Sequence, residues 1–129
     1  MNNGLIENKN VRQREEEGFR RWFLNDFFDV IIWYDKPRGS MKGFQVCYSK
    51  NRNEKAFTWS ERMASSRYVS DDEDGRPRPS NMTAILSGDA GTIPEKVIGR
   101  LMKESGELDK NLLHTIVTRI RAYNINSYR

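Results

Sequence analysis

The stretch FRRWFLNDFFDVIIWYD, residues 19–35, decides the fold, because the apolar period changes inside it. Phe19, Trp22 and Phe23 recur at spacings of three and four, and the composition from Arg12 to about Leu24 predicts a helix. Gly18 within that span costs about 1 kcal/mol relative to alanine. Asn25-Asp26 then breaks the pattern. From Phe27 to Asp35 the chain is dense in β-branched and aromatic residues and, up to Tyr34, apolar on both alternating faces apart from Asp29, which suits a central strand.

Downstream, KPRGSMK reads as a loop, and GFQVCYS (43–49) puts Phe44, Val46 and Tyr48 on one face and Gln45, Cys47 and Ser49 on the other. After a turn through KNRN, KAFTWS gives Phe57 and Trp59 one face, completing a three-stranded meander. Residues 61–81 hold few large apolar groups and predict a long polar loop, a length that in a compact domain points to function or disorder. MTAILS (82–87) predicts a fourth strand, closed by Gly88 to Gly91.

Thr92 and Glu95 form a capping box, with Pro94 tolerated in the first turn. The helix they open carries Val97, Ile98, Leu101 and Met102 on one face, and Ser105-Gly106 ends it. Asp109 caps a second helix with an apolar stripe of Leu112, Leu113, Ile116, Val117, Ile120 and Tyr123. Residues 1–11 are polar and predict a disordered tail. The expected architecture is one α+β domain over residues 12–129: an N-terminal helix, a four-stranded mainly antiparallel sheet, and two C-terminal helices packing on one face.

A chain of 129 residues with 11% aromatics can build a core. Its net charge is +4. Asp71, Asp72, Glu73 and Asp74 against Arg76 and Arg78 make residues 70–79 net −2, which leaves +6 elsewhere and permits an anionic partner such as nucleic acid. The single cysteine, Cys47, excludes an intrachain disulfide, and no apolar run reaches the roughly 18–20 residues of a membrane span. Without a signal-peptide pattern at the N-terminus, a cytoplasmic location and no membrane partner are expected.

The acidic loop SDDEDGRPRP (70–79) invites a calcium reading. Counted from Ser70, oxygens fall at Ser70, Asp72 and Asp74 with Gly75 sixth, but the twelfth position is Asn81 where a closing carboxylate is needed. Asp72 and Asp74 are thus the metal candidates, of a weak divalent kind, and a solvated linker is the favoured alternative. The only histidine, His114, sits about 130° from the centre of its helix's apolar stripe and should face water. One histidine and one cysteine make no zinc set, and no glycine-rich phosphate loop is present. The pattern leans away from an enzyme, names no catalytic residue and implies no cofactor.

The two C-terminal helices resemble a helix-turn-helix in outline, but Glu104, Glu107 and Asp109 would repel a phosphate backbone, so a helical hairpin on a sheet is the ordinary explanation. The aromatics Trp33, Tyr34, Tyr48, Phe57 and Trp59 come from the meander. Some could form a stacking platform, although core packing is the favoured explanation. Trp33, Tyr48 and Trp59, with Arg67 and Tyr68 from the following loop, are the ligand-binding candidates.

The segments RRWFLNDFFDVIIWYD, GFQVCYSK and KAFTW are similar to a WF…FD…WYD, GFQ-CY and A-TW pattern in a family of small bacterial proteins with no known activity, over roughly residues 20–60. The resemblance implies a bacterial cytoplasmic origin and supplies no activity, cofactor or partner. Members often carry a histidine soon after the TW strand, where this chain reads ASSRY, so a histidine-based activity is not implied. The expected function is a non-enzymatic binding or interaction module, for a protein or small-molecule partner, working through the uncovered sheet face and the 61–81 loop. Nucleic-acid binding is the alternative, and a divalent-metal-dependent enzyme using residues 71–74 the third.

Overall fold

The computed structural model describes residues 3–13, 18–50, 53–70 and 85–127. Among these residues seven strands run in chain order as one antiparallel meander: β1 (Ile6–Glu7), β2 (Phe19–Leu24), β3 (Phe28–Tyr34), β4 (Met41–Tyr48), β5 (Lys55–Ser60), β6 (Ala64–Ser70) and β7 (Ile85–Asp89). Two helices follow, α1 (Glu95–Lys103) and α2 (Lys110–Ser127).

The expected N-terminal helix and four-stranded sheet are therefore corrected to a seven-stranded sheet with no helix before α1 among the described residues. Residues 19–24 pair in register with β3, from Phe19 opposite Tyr34 to Leu24 opposite Asp29. The physical reason lies in burial. Trp22 and Phe23 are both fully buried, on opposite faces of a sheet packed on both sides. Two buried faces erase the alternation that marks a strand and leave apolar residues at spacings that also fit a helix. Asn25 makes the hairpin turn: its side-chain oxygen accepts from the Phe27 and Phe28 N–H groups at 2.9 and 2.7 Å.

Gly18 is the hinge into β2 rather than a weak point in a helix. Its φ is +76°, and a Cβ there would collide with the Tyr34 carbonyl oxygen. Gly18→Val is expected to cost about 1–3 kcal/mol, the scale of enforced backbone strain, in a denaturant melt. Gly88→Ala is the control, since nothing lies within 4 Å of its added methyl.

The expected 61–81 loop is likewise corrected over its first part. Ser60 to Met63 form a tight turn, the Ser60 N–H donating to the Met63 carbonyl at 2.8 Å, and the chain returns as β6 against β5. Residues 71–81, including the acidic cluster, lie outside the described residues.

Register and alternation sort the side chains. The row Phe23, Val30, Val46, Phe57 lies on the face that α1 and α2 cover, and it packs with Ile93, Ile98, Leu101, Ile116 and Ile120 into the main core. The row Trp22, Ile31, Gln45, Thr58 lies on the helix-free face. A smaller cluster there joins Cys47 and Ala56 with Val69 and Leu86.

The capping box does not form. Pro94 is the N-cap of α1, without a side-chain hydrogen bond. Ile93 is instead held by the Asn124 amide of α2, which accepts from the Ile93 N–H and donates to its carbonyl, both at 2.8 Å. Part of the expected N-terminal tail is also structured. Leu5 is fully buried, donates its N–H to the Glu104 carbonyl and accepts from the Glu107 N–H, both at 2.8 Å. Gly106, at φ +48°, allows that close approach.

Candidate functional site

The five ligand-binding candidates do not share a surface. Trp33 (half-buried) and Arg67 (exposed) lie on the helix-free face, whereas Tyr48, Trp59 and Tyr68 lie on the other. Trp59 stacks on Phe44 at 5.7 Å and carries the Arg119 guanidinium of α2 at 4.7 Å, so it is part of the seam between sheet and helix. The helix-free face is not an open platform at its centre: Trp22, Ile31, Gln45, Cys47 and Ala56 are all buried. Asp72 and Asp74 lie outside the described residues. Among the described residues no three His, Cys, Asp or Glu side chains are arranged to hold a metal ion.

Tyr48 is a core residue whose buried hydroxyl lies beside the buried Ser66 hydroxyl without a well-formed hydrogen bond between them. Burial pushes the Tyr48 hydroxyl from 10.0 up to about 12, against a lesser opposing pull from Ser66. Because the folded protein holds this proton more tightly, the stabilisation is complete below pH 10 and disappears as pH rises towards 12. About 2–3 kcal/mol is at stake. Tyr48→Phe is expected to remove that alkaline loss, and at neutral pH to be neutral or stabilising by up to about 1 kcal/mol, since it deletes a buried hydroxyl that lacks a well-formed hydrogen bond. Urea melts of both proteins from pH 8 to 12 measure the difference.

A different surface carries the stronger features. Between α1 and the outward side of α2 lies a groove of about 530 Å³, within the range of ligand-binding clefts. Its floor is Met102, Leu113, Val117, Ala122 and Ile125; Lys110, His114, Thr118 and Arg121 line it beside them. Met102 is 46% exposed and Ile125 66%. Two large apolar side chains left in water beside one groove are more informative than scattered ones.

The helix geometry explains the arrangement. At 100° per residue, the core stripe of Ile116, Val117 and Ile120 leaves Ile125 roughly 130° away, and Met102 falls roughly 90° from the centre of the α1 stripe. Met102, expected on the core face, thus belongs to the groove. The helix α2 carries two apolar stripes, one inward and one beside the first.

Electrostatics add a sign. Across the 18 residues of α2 there are Lys110, Arg119 and Arg121 and no acid, while α1 adds Lys96, Arg100 and Lys103 against Glu95. Arg121 meets Glu95 at 3.3 Å, with both side chains well exposed, so the pair holds it weakly. The carboxylates of the inter-helix turn are engaged away from the groove. Glu104 accepts from Arg100 at 2.8 Å and Asn25 at 2.9 Å, Glu107 accepts from the Glu7 N–H at 2.9 Å, and Asp109 meets Arg21 at 3.4 Å. Part of the positive excess seen in the sequence is therefore gathered on the helical layer.

No helix among the described residues is long and apolar enough to cross a membrane. Comparison with known proteins gives no match to a family model, to a curated protein or to a solved structure.

Proposed function

We propose that the chain is a protein-interaction module that docks an acidic amphipathic helix of a partner in the groove between α1 and α2. The observation that carries the proposal is the pairing of exposed Met102 and Ile125 with a rim of Lys110 and Arg121. An apolar floor gains free energy by leaving water, and a cationic rim selects carboxylates, which together describe helix-in-groove recognition. A reducing cytoplasm suits the single, buried Cys47, which forms no disulfide.

Nucleic acid is the second reading, favoured by the absence of acids along α2. It makes no use of Met102 and Ile125, because phosphate contacts gain nothing from a desolvated thioether or isoleucine. The test is titration of the labelled protein with a synthetic helix bearing leucines on one face and glutamates on the other. Duplex and single-stranded DNA and anionic lipid vesicles are run in parallel. Saturable binding of the peptide, weakened by Ile125→Ala, supports the docking module. Binding only to DNA with a steep salt dependence, or only to vesicles, would replace it.

A further inference from the structure

Arg20 is the one guanidinium in the sheet that the fold buries without a counter-charge among the described residues. The residue is 7% exposed. Its Nη2 donates to the Arg12 carbonyl at 2.6 Å, and its Nε, fully buried, has no hydrogen-bond partner. No carboxylate of the described residues pairs with it.

Neighbouring ions are treated differently. Arg21, on the opposite face, is gripped by both oxygens of Glu7 at 2.9 Å and reaches Asp109. That grip pushes Arg21 up and draws Glu7 below the usual carboxylate range. Asp29, on the same face as Arg20, accepts from the Trp22 indole at 3.0 Å and pairs with Lys50 at 3.1 Å. A buried charge left unpaired is costly enough that folds either neutralise it or supply a partner.

The backbone around Arg20 is fixed as for a recognition group. Where β1 has ended, the Gln13 amide takes the place of a neighbouring strand, accepting from the Arg20 N–H at 2.9 Å and donating to its carbonyl at 2.8 Å. In the sheet Arg20 stands opposite Trp33, Trp33 opposite Gly43, and Gly43 opposite Ser60. A guanidinium, a half-buried indole, bare backbone and a hydroxyl therefore follow one another across the helix-free face.

We propose that Arg20 is the recognition residue of an anion site on this face, taking an oxyanion, carboxylate or phosphate, with Trp33 beside it to contact an aromatic body of the ligand. A guanidinium N–H aimed at such an anion makes a short, charge-assisted hydrogen bond. The counter-charge that the described residues do not provide is then supplied by the ligand.

The test uses the full chain at constant ionic strength, following tryptophan emission and Tm. Sodium phosphate, sodium acetate and phenyl phosphate are titrated against sodium chloride. At least one oxyanion is expected to give a saturable emission change and a rise in Tm that chloride does not. Phenyl phosphate binding more tightly than phosphate would identify an aromatic ligand, and acetate outperforming both a carboxylate. Arg20→Met is expected to weaken that anion at least about tenfold and to raise the Tm of the anion-free protein, because a buried charge without a counter-charge among the described residues is gone. Arg20→Lys, which keeps a cation and deletes Nε, should weaken it several-fold, and it serves if the methionine variant fails to fold. The proposal is overturned if no oxyanion gives a saturable response, if affinity is unchanged in both variants, or if both variants only lower Tm and the anion changes nothing.

Discussion

Ile120→Ala is expected to lower folding stability by about 2–5 kcal/mol, while Ile125→Ala, on the same helix, should change it by less than about 0.5 kcal/mol. Ile120 is 2% exposed and packs in the main core with the row Val30, Val46 and Phe57, so its truncation loses transfer energy and leaves a cavity. Ile125 is already mostly in water. A domain of this size has roughly 5–15 kcal/mol in hand, so the first change consumes a large share and the second almost none. The order should reverse in the peptide titration, where Ile125→Ala weakens binding and a folded Ile120 variant does not. Equal destabilisation by the two replacements, in chemical melts followed by tryptophan emission, would mean that Ile125 is core and the groove is not a surface.

The second large effect concerns the rim. Lys110→Glu combined with Arg121→Glu should weaken an acidic amphipathic helix by about 2–3 kcal/mol, roughly 30- to 150-fold, because each site changes from attraction to repulsion. The effect should shrink as salt is raised, since charges at an exposed rim are screened beyond about 8–10 Å at physiological ionic strength. Stability should barely move, as Lys110 lacks an ion pair among the described residues and Arg121 holds only its exposed contact with Glu95. Calorimetric titration at two salt concentrations separates this outcome from a loss of folding. An undiminished affinity would place the peptide elsewhere.

The middle of the sheet was legible because its residues state their environment. Phe44, Val46 and Tyr48 alternate with Gln45 and Cys47, and the turns around Gly39 and Asn53 carry the residues that turns need. The helix stripes were legible for the same reason, their inward faces being continuous and apolar. The second strand was hidden because a sheet buried on both faces makes Trp22 and Phe23 equally apolar, so period two disappears. The sixth strand was hidden for the opposite reason: Ala64, Ser65 and Ser66 carry no hydrophobic signal, and β5 imposes the extended conformation through its ladder. Leu5 gives no sequence signal because one buried leucine in a polar segment has no period at all.

The groove left a fainter trace. Leu113, Val117 and Ile125 recur at spacings of four and eight along α2, and Met102 lies at the margin of its own stripe. The lack of any acid in α2 was visible too. What a sequence does not show is which flank of a doubly apolar helix meets the sheet, since that depends on the crossing of α1. The tyrosine and tryptophan candidates were drawn together by chain proximity, whereas strand alternation sends Trp33 and Arg67 to one face and Tyr48, Trp59 and Tyr68 to the other.

The most direct measurement is a map of backbone amide shifts as the acidic leucine-faced helix is titrated into isotopically labelled protein. Docking in the groove predicts saturable shifts concentrated at Met102 and from Lys110 to Ile125, with β2 to β5 unmoved. Shifts spread over the helix-free face around Trp33 and Arg67, or none at peptide saturation of the detector range, would contradict it.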